Sequence, residues 1–279
     1  MNDRAVRVGI VGTGEMGRPL VDRLRDAGHH VAAYARRHEA RETLAAAGVE
    51  VVDSVSALGA GRDIVIIYVY SDGEVRSVAL DDRLIDAMEP GALLVIHTTG
   101  SPATAQALSE RARVRGVHVI DAPGSGGPAQ VADGTLNLFV GGEVTDFERA
   151  RPLFAAYASQ VTHFGVLGTG QTVKLINNLL FGAHVELALE AARLSTAFGI
   201  GPAELARTLH TCSGQSYSLD LIAAMGSAEA LLGGAGRFIY KDVLLARTAA
   251  AGMGASLGSF DAVTAPLLDR TRTSEGNHP

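Results

Sequence analysis

The sequence predicts an α/β fold: a doubly wound parallel sheet first, then an all-helical part reached along one long helix. Three observations carry this. Short β-rich runs alternate with helical stretches through residues 5–121. Several of those runs are continuously apolar, "IVIIYV" at 64–69 and "ALLVI" at 92–96, as strands covered on both faces are. Beyond Gly168 no β-rich run recurs.

Taken in order, the β-rich runs are 5–11, 30–35, 49–53, 63–70, 92–97 and 117–121, with helical stretches at 16–27, 39–47 and 102–115. Strands spaced by helices of this length imply parallel βαβ units. Two further runs, 136–141 and 160–164, bracket another helical stretch and are expected to complete the sheet. A proline-free helical pattern then runs over 169–198, about 45 Å long at ~1.5 Å per residue. Shorter helices are expected at 202–212, 218–225, 239–251 and 259–269, and the polar residues 272–279 are expected to fray. The chain thus divides into a sheet domain, 1–166, and a helical domain, 167–279.

Of the 279 residues, 47% are hydrophobic and 19% charged, ample for a core, and the net charge is −6 with 24 basic residues spread thinly. That excludes a nucleic-acid surface, which needs a clustered basic stripe. The single cysteine, Cys212, excludes an internal disulfide, and no metal site is predicted. The start, "MNDRAVRVGIV", has no apolar leader segment, and no window approaches 18 uninterrupted apolar residues. A cytoplasmic protein without membrane partners is the expectation.

"VGTGEMG" sets Gly12, Gly14 and Gly17 at G-x-G-x-x-G spacing, after the first strand and at the start of a helix. In that context the spacing is the Rossmann dinucleotide fingerprint. Gly12 permits the tight turn, Gly14 lets a pyrophosphate approach the backbone, and Gly17 lets helix and strand pack. Thr13, Glu15 and Met16 complete the turn, whose helix end favours negative charge. The second strand runs into "AAYARRHE". Ala35 stands where an NAD enzyme places an acid, and Arg36 and Arg37 follow. Guanidinium groups suit a 2′-phosphate, so NADP(H) is predicted over NAD(H), although Glu39 is near enough to reach the ribose.

Two stretches remain. "DAPGSGGPA" at 121–129 exposes much bare backbone, the composition of a loop that brings N–H groups to an anion. In "GTGQTVKLINNLL", at 168–180, Lys174 and Asn178 lie four apart on one helix face. A solvent-facing lysine on an amphipathic helix gives the same pattern. The leucine-rich remainder (Leu179, Leu180, Phe181, Val185, Leu187, Leu189, Leu194) offers more apolar surface than a small helical domain covers, so a homodimer or tetramer is predicted.

These pieces together resemble the β-hydroxyacid dehydrogenases, the family of 3-hydroxyisobutyrate dehydrogenase and tartronate semialdehyde reductase. They are GTGEMG (12–17), DAPGSGG (121–127), GTL…VGG (134–142), GTGQTVKLINN (168–178) and KDV (241–243). They span nearly the whole chain in the family's order. The resemblance implies an NADP-dependent oxidoreductase acting on a small β-hydroxyacid or semialdehyde bearing a carboxylate. Ser125, Gly126 and Gly127 would bind that carboxylate, Lys174 would be the general acid/base, and Asn178 would orient the substrate. Lys241, supported by Asp242, would close the site and reach the cofactor. Val69 and Tyr70 would line the dinucleotide path, with Thr98 and Thr99 near it. Gly124 stands where the family usually carries valine, which loosens the loop or makes room for a bulkier substrate. An imine reductase of the same architecture is one alternative, although that class usually has aspartate or tyrosine at the place of Lys174. A non-catalytic dinucleotide-binding module is the other.

Overall fold

The computed structural model describes residues 5–275. Its first half runs β1 (Arg7–Val11), α1 (Gly17–Asp26), β2 (His30–Tyr34), α2 (His38–Ala46), β3 (Glu50–Val51), α3 (Val55–Gly59), β4 (Ile64–Ile67) and α4 (Asp72–Arg76), which widens into a π turn over Ser77–Asp81. α5 (Leu84–Ala87), β5 (Leu93–Ile96), α6 (Pro102–Arg113) and β6 (His118–Asp121) follow. The six strands form one parallel sheet in the order β3-β2-β1-β4-β5-β6. The order reverses between β1 and β4, which opens a crevice at the carboxyl ends of those strands.

The apolar runs are explained by two cores, one on each face of the sheet. Val8, Ile10, Ile64, Ile66, Leu93 and Val95 point to one face. Their neighbours Val11, Val65, Ile67, Leu94 and Ile96 point to the other. Leu20 and Leu24 of α1 cover the first face; Leu58 of α3, Val75 of α4 and Leu108 of α6 cover the second. With a period of two and both faces covered, every position of a central strand must be apolar.

The chain continues through β7 (Gly124–Ser125), α7 (Pro128–Ala132), β8 (Leu136–Val140), α8 (Val144–Phe154) and β9 (Ala158–His163). Here the structure corrects an expectation. β8 and β9 do not complete the large sheet; they form a three-stranded sheet with β7, in the order β7-β8-β9, antiparallel then parallel. A single bridge, Asp121 to Gly141, links the end of β6 to this second sheet. β8 alternates, with Leu136, Leu138 and Val140 buried and Asn137 exposed, as a strand with one covered face does.

The rest is helical: α9 (Thr169–Ala197), α10 (Pro202–Leu209), α11 (Tyr217–Met225), α12 (Ala228–Gly252) and α13 (Ser259–Glu275). α12 begins well before the expected residue 239, because the Ser227 hydroxyl accepts from the Ala230 N–H (3.1 Å) and caps it. α13 extends to Glu275, so part of the segment expected to fray is helical, and residues 276–279 lie outside the described residues. Chain contacts divide the molecule after Lys174 into two compact units. The helical unit has its own core, which includes Leu179, Val185, Leu189, Ile222, Leu231 and Val243. Leu179, Val185 and Leu189, expected to await a partner, are therefore buried within the chain. Ile176, Leu180, Leu187 and Leu194 are exposed. Cys212 is exposed, not the buried apolar residue its type suggests.

Candidate active site

At the end of β1 the backbone turns sharply at Gly12, with φ of +98°. A Cβ there would lie 2.1 Å from the Tyr68 carbonyl oxygen, and one on Gly17 would lie 1.8 Å from the Gly12 carbonyl oxygen. Both glycines are demanded by backbone packing. Gly14 differs: a Cβ there meets nothing within 4 Å. It borders a cavity of about 410 Å³ that is also lined by Gly12, Thr13, Ala35, Arg36 and Arg37. Tyr68, Val69 and Tyr70 after β4, and Glu74, Ser77 and Asp82 from the α4 region, form its opposite wall. The N-cap of α1 is Met16, whose side chain makes no cap hydrogen bond, and Glu15 precedes it. An open cradle at a helix start, with two arginines farther along the same cavity, fits a dinucleotide.

Thr98 does not face this cavity. Its hydroxyl accepts from the Val69 N–H (2.8 Å) and donates to the Val69 carbonyl (3.1 Å), so it fixes the post-β4 loop in place. Thr99, next to it, is half-buried. His97 is buried at the end of β5, its Nδ1 2.5 Å from the Ala122 carbonyl and its Nε2 2.7 Å from the Tyr157 hydroxyl. A carbonyl only accepts, so Nδ1 carries the proton and Nε2 accepts from Tyr157. Burial pushes His97 down to about 4, keeping the ring neutral.

Sequence reasoning assigned no role to Asp121 or Gln171, and the structure makes them the junction of the sheet unit. The Asp121 carboxylate accepts the Gly168 N–H and the Gln171 N–H, both at 2.6 Å, at the start of α9. Burial pushes its carboxyl up to about 6 while those N–H groups pull the other way. The Gln171 side chain accepts from the Gly100 N–H (2.8 Å) and donates to the Thr98 carbonyl (2.8 Å). Lys174 follows three residues on and is 9% exposed. It is a buried lysine, not a solvent-facing one.

The loop after Asp121 is pinned differently from its sequence reading. Ser125 pairs with Asn137 of β8. Gly126 has φ of +131°, which favours glycine. The Gly127 N–H donates to the Gln130 Oε1 at 2.8 Å, so Gln130 already engages one of the expected anion donors. A Cβ at Gly124 would lie 2.9 Å from the Leu136 Cδ2; that space is filled by leucine.

In the helical unit, Asn178 donates from Nδ2 to Asp242 (2.7 Å), and Lys241 donates to the other oxygen of Asp242 (2.5 Å). Asn177 donates to the Asn178 Oδ1 at 3.0 Å. Three sequence candidates thus form one hydrogen-bonded cluster centred on Asp242. Glu74, which lines the cavity and contacts Arg36, was not among them. Its legible signal was the Ser71-x-x-Glu74 helix-start spacing.

A sequence profile for the NAD binding domain of 6-phosphogluconate dehydrogenase matches residues 7–165. A second, for the NAD-binding part of NADP-dependent 3-hydroxyisobutyrate dehydrogenase, matches residues 168–278. The chain belongs to the 3-hydroxyisobutyrate dehydrogenase family. This is a family of pyridine-nucleotide-dependent β-hydroxyacid dehydrogenases. The 3-hydroxyisobutyrate dehydrogenase of Pseudomonas aeruginosa is 33% identical over 248 residues, 86% of this chain and 83% of that one. An NAD-dependent L-serine dehydrogenase of the same organism is 34% identical over 216 residues, 77% of this chain and 72% of that one. A solved structure of the Mycobacterium tuberculosis 3-hydroxyisobutyrate dehydrogenase with L-serine superposes with a TM-score of 0.85 at 26% identity, covering 99% of this chain and 95% of that one. The family's members thus use both NAD and NADP by name, and their named substrates are small hydroxyacids. Among the described residues, no helix is long and apolar enough to cross a membrane.

Proposed function

We propose that the protein is an NADP-dependent dehydrogenase or reductase of a small β-hydroxyacid or semialdehyde bearing a carboxylate, with Lys174 as general acid/base. Residues 1–166 hold the dinucleotide; residues 167–279 form the helical substrate domain and the subunit contact of a homodimer or tetramer. The observation that carries the reading is the buried Lys174, one turn along a helix whose first N–H groups are tied to Asp121 at the carboxyl edge of the sheet.

When bound, the nicotinamide supplies or takes up the hydride. The remaining work falls to the chain. Ser125 and the backbone at Gly126 and Gly127 hold the substrate carboxylate, which takes the place of the Gln130 side chain on the Gly127 N–H. In reduction, the Lys174 ammonium stabilises negative charge growing on the carbonyl oxygen and then gives it a proton. In oxidation the neutral amine takes the hydroxyl proton. Asp242 fixes the amide of Asn178 and the ammonium of Lys241, so both reach the substrate in set orientations. Arg36 and Arg37 grip the 2′-phosphate.

Lys174→Ala, assayed by NADPH absorbance against a panel of β-hydroxyacids and semialdehydes, should lose roughly 10²–10⁴-fold in turnover while keeping its affinity for NADPH. Turnover equal to the parent's removes Lys174 from the mechanism.

A further inference from the structure

The end of β2 lacks the acid that would hold an NAD ribose, and the cavity brings one from elsewhere. Glu74, in the first turn of α4, lines the same cavity as Arg36. Its Oε2 accepts from the Tyr70 N–H at 3.0 Å, and its own N–H donates to the Ser71 hydroxyl at 3.2 Å. The carboxylate is therefore fixed by backbone on one side. Its Oε1 accepts from the Arg36 Nη2 at 3.2 Å, through a single donor rather than a two-pronged grip. The Arg36 side chain is 75% exposed, so it is lightly held and has donors left for an anion.

We propose that Glu74 is a specificity-determining residue of the nucleotide cavity, setting the preference between dinucleotides with and without a 2′-phosphate through its charge pair with Arg36. The inference rests on the proposed role of Arg36. A 2′-phosphate carries roughly −1.5 to −2 charges. Docking on Arg36, it meets the Glu74 carboxylate as a like charge and must share or displace it. A 2′-hydroxyl is neutral, suffers no such repulsion, and can donate to that carboxylate. Arg36 thus pulls toward NADP(H) and Glu74 toward NAD(H), and the pair sets the ratio.

The test is equilibrium binding. Adenosine 2′,5′-bisphosphate and AMP differ only in the 2′-phosphate, and calorimetry measures both without turnover. NADPH and NADH fluorescence titrations supply the dinucleotide ratio. Glu74→Gln keeps an acceptor for the Tyr70 N–H and removes only the charge. It should tighten the bisphosphate and NADPH by roughly 3- to 20-fold while AMP and NADH stay level or weaken, with an unchanged Tm. Glu74→Asp, which keeps the charge but draws it back from Arg36, should fall between. Arg36→Ala should lower the bisphosphate-to-AMP ratio. An unaltered ratio in Glu74→Gln alongside a lowered one in Arg36→Ala overturns the role of Glu74 and leaves the NADP reading standing. An unaltered ratio in Arg36→Ala removes that reading, and the role of Glu74 with it.

Discussion

His97 and Asp121 sit at the ends of neighbouring strands, and burial moves them in opposite directions. Asp121 is raised from 3.8 to about 6, so its protonated form is favoured in the fold. Its contribution to stability is fully present below about 3.8 and is lost as pH rises through about 6. His97 is lowered from 6.5 to about 4. Its contribution is fully present above 6.5 and is lost as pH falls through about 4. Each amounts to about 3 kcal/mol across its window, and in the parent chain the two slopes oppose one another. As pH rises from 4 to 7, the stability difference from the parent should therefore increase for Asp121→Asn and decrease for His97→Gln, whatever the constant offset each substitution adds. Urea midpoints at several pH values, taken as differences from the parent, remove shared contributions such as that of Asp63, held down to about 2 by its hydrogen bond with Arg7. Parallel difference curves for the two variants would contradict the assignment.

The β1–α1 turn separates what folding needs from what binding needs. Gly14→Ala places a methyl in open space and should leave Tm within about 2 °C, while weakening NADPH by tenfold or more under the proposed approach of the pyrophosphate to that backbone. Gly17→Ala drives a Cβ into the Gly12 carbonyl and should lower Tm by several degrees. Equal melting points for the two would sink the distinction. Elements with strong periodicity were legible in advance: the six parallel strands, α1, α6 and α9 all lie close to their sequence positions. The second sheet was not, because a strand pattern does not say which sheet a strand joins, and the one cue, the alternation of "LNLFV" with a single covered face, is only five residues long. The start of α12 was hidden by Gly233, Gly234 and Gly236, which argue against helix, while the Ser227 cap and burial of Leu231 override them. Gly233 has φ below zero and open space at its Cβ, so Gly233→Ala should stabilise the chain by about 0.5–1 kcal/mol in urea unfolding. In the site, residue types with a motif were readable. Glu74, Gln130 and Gln171 were not. Glu74 and Gln130 bond N–H groups four and three residues away, a local helix-start spacing that says nothing of a site by itself, whereas Gln171 reaches Gly100 and Thr98, 71 and 73 residues back, which no spacing rule brings together.

At the scale of the molecule, the helical unit buries part of α9 and leaves a stripe uncovered. Leu180, Leu187 and Leu194 recur every seven residues, two helical turns, so they share one face, and they are 44%, 56% and 51% exposed. Single exposed leucines are ordinary on a soluble surface; a continuous row of them on one helix calls for a cover. A second copy supplies the simplest one, since a two-fold axis sets the same stripe against itself. That symmetry doubles every substitution. Burying one leucine is worth about 1.5–3 kcal/mol, so Leu187→Glu removes two such burials per dimer and adds two charges that need solvent. The dissociation constant should rise by roughly 10²- to 10⁴-fold. Light scattering at micromolar concentration should show a dimer or tetramer for the parent and a smaller species for Leu187→Glu. Circular dichroism should stay unchanged, because residue 187 is outside the core of its own subunit. A monomeric parent, or an assembly indifferent to both Leu187→Glu and Leu194→Glu, would show that another surface joins the subunits or that none does.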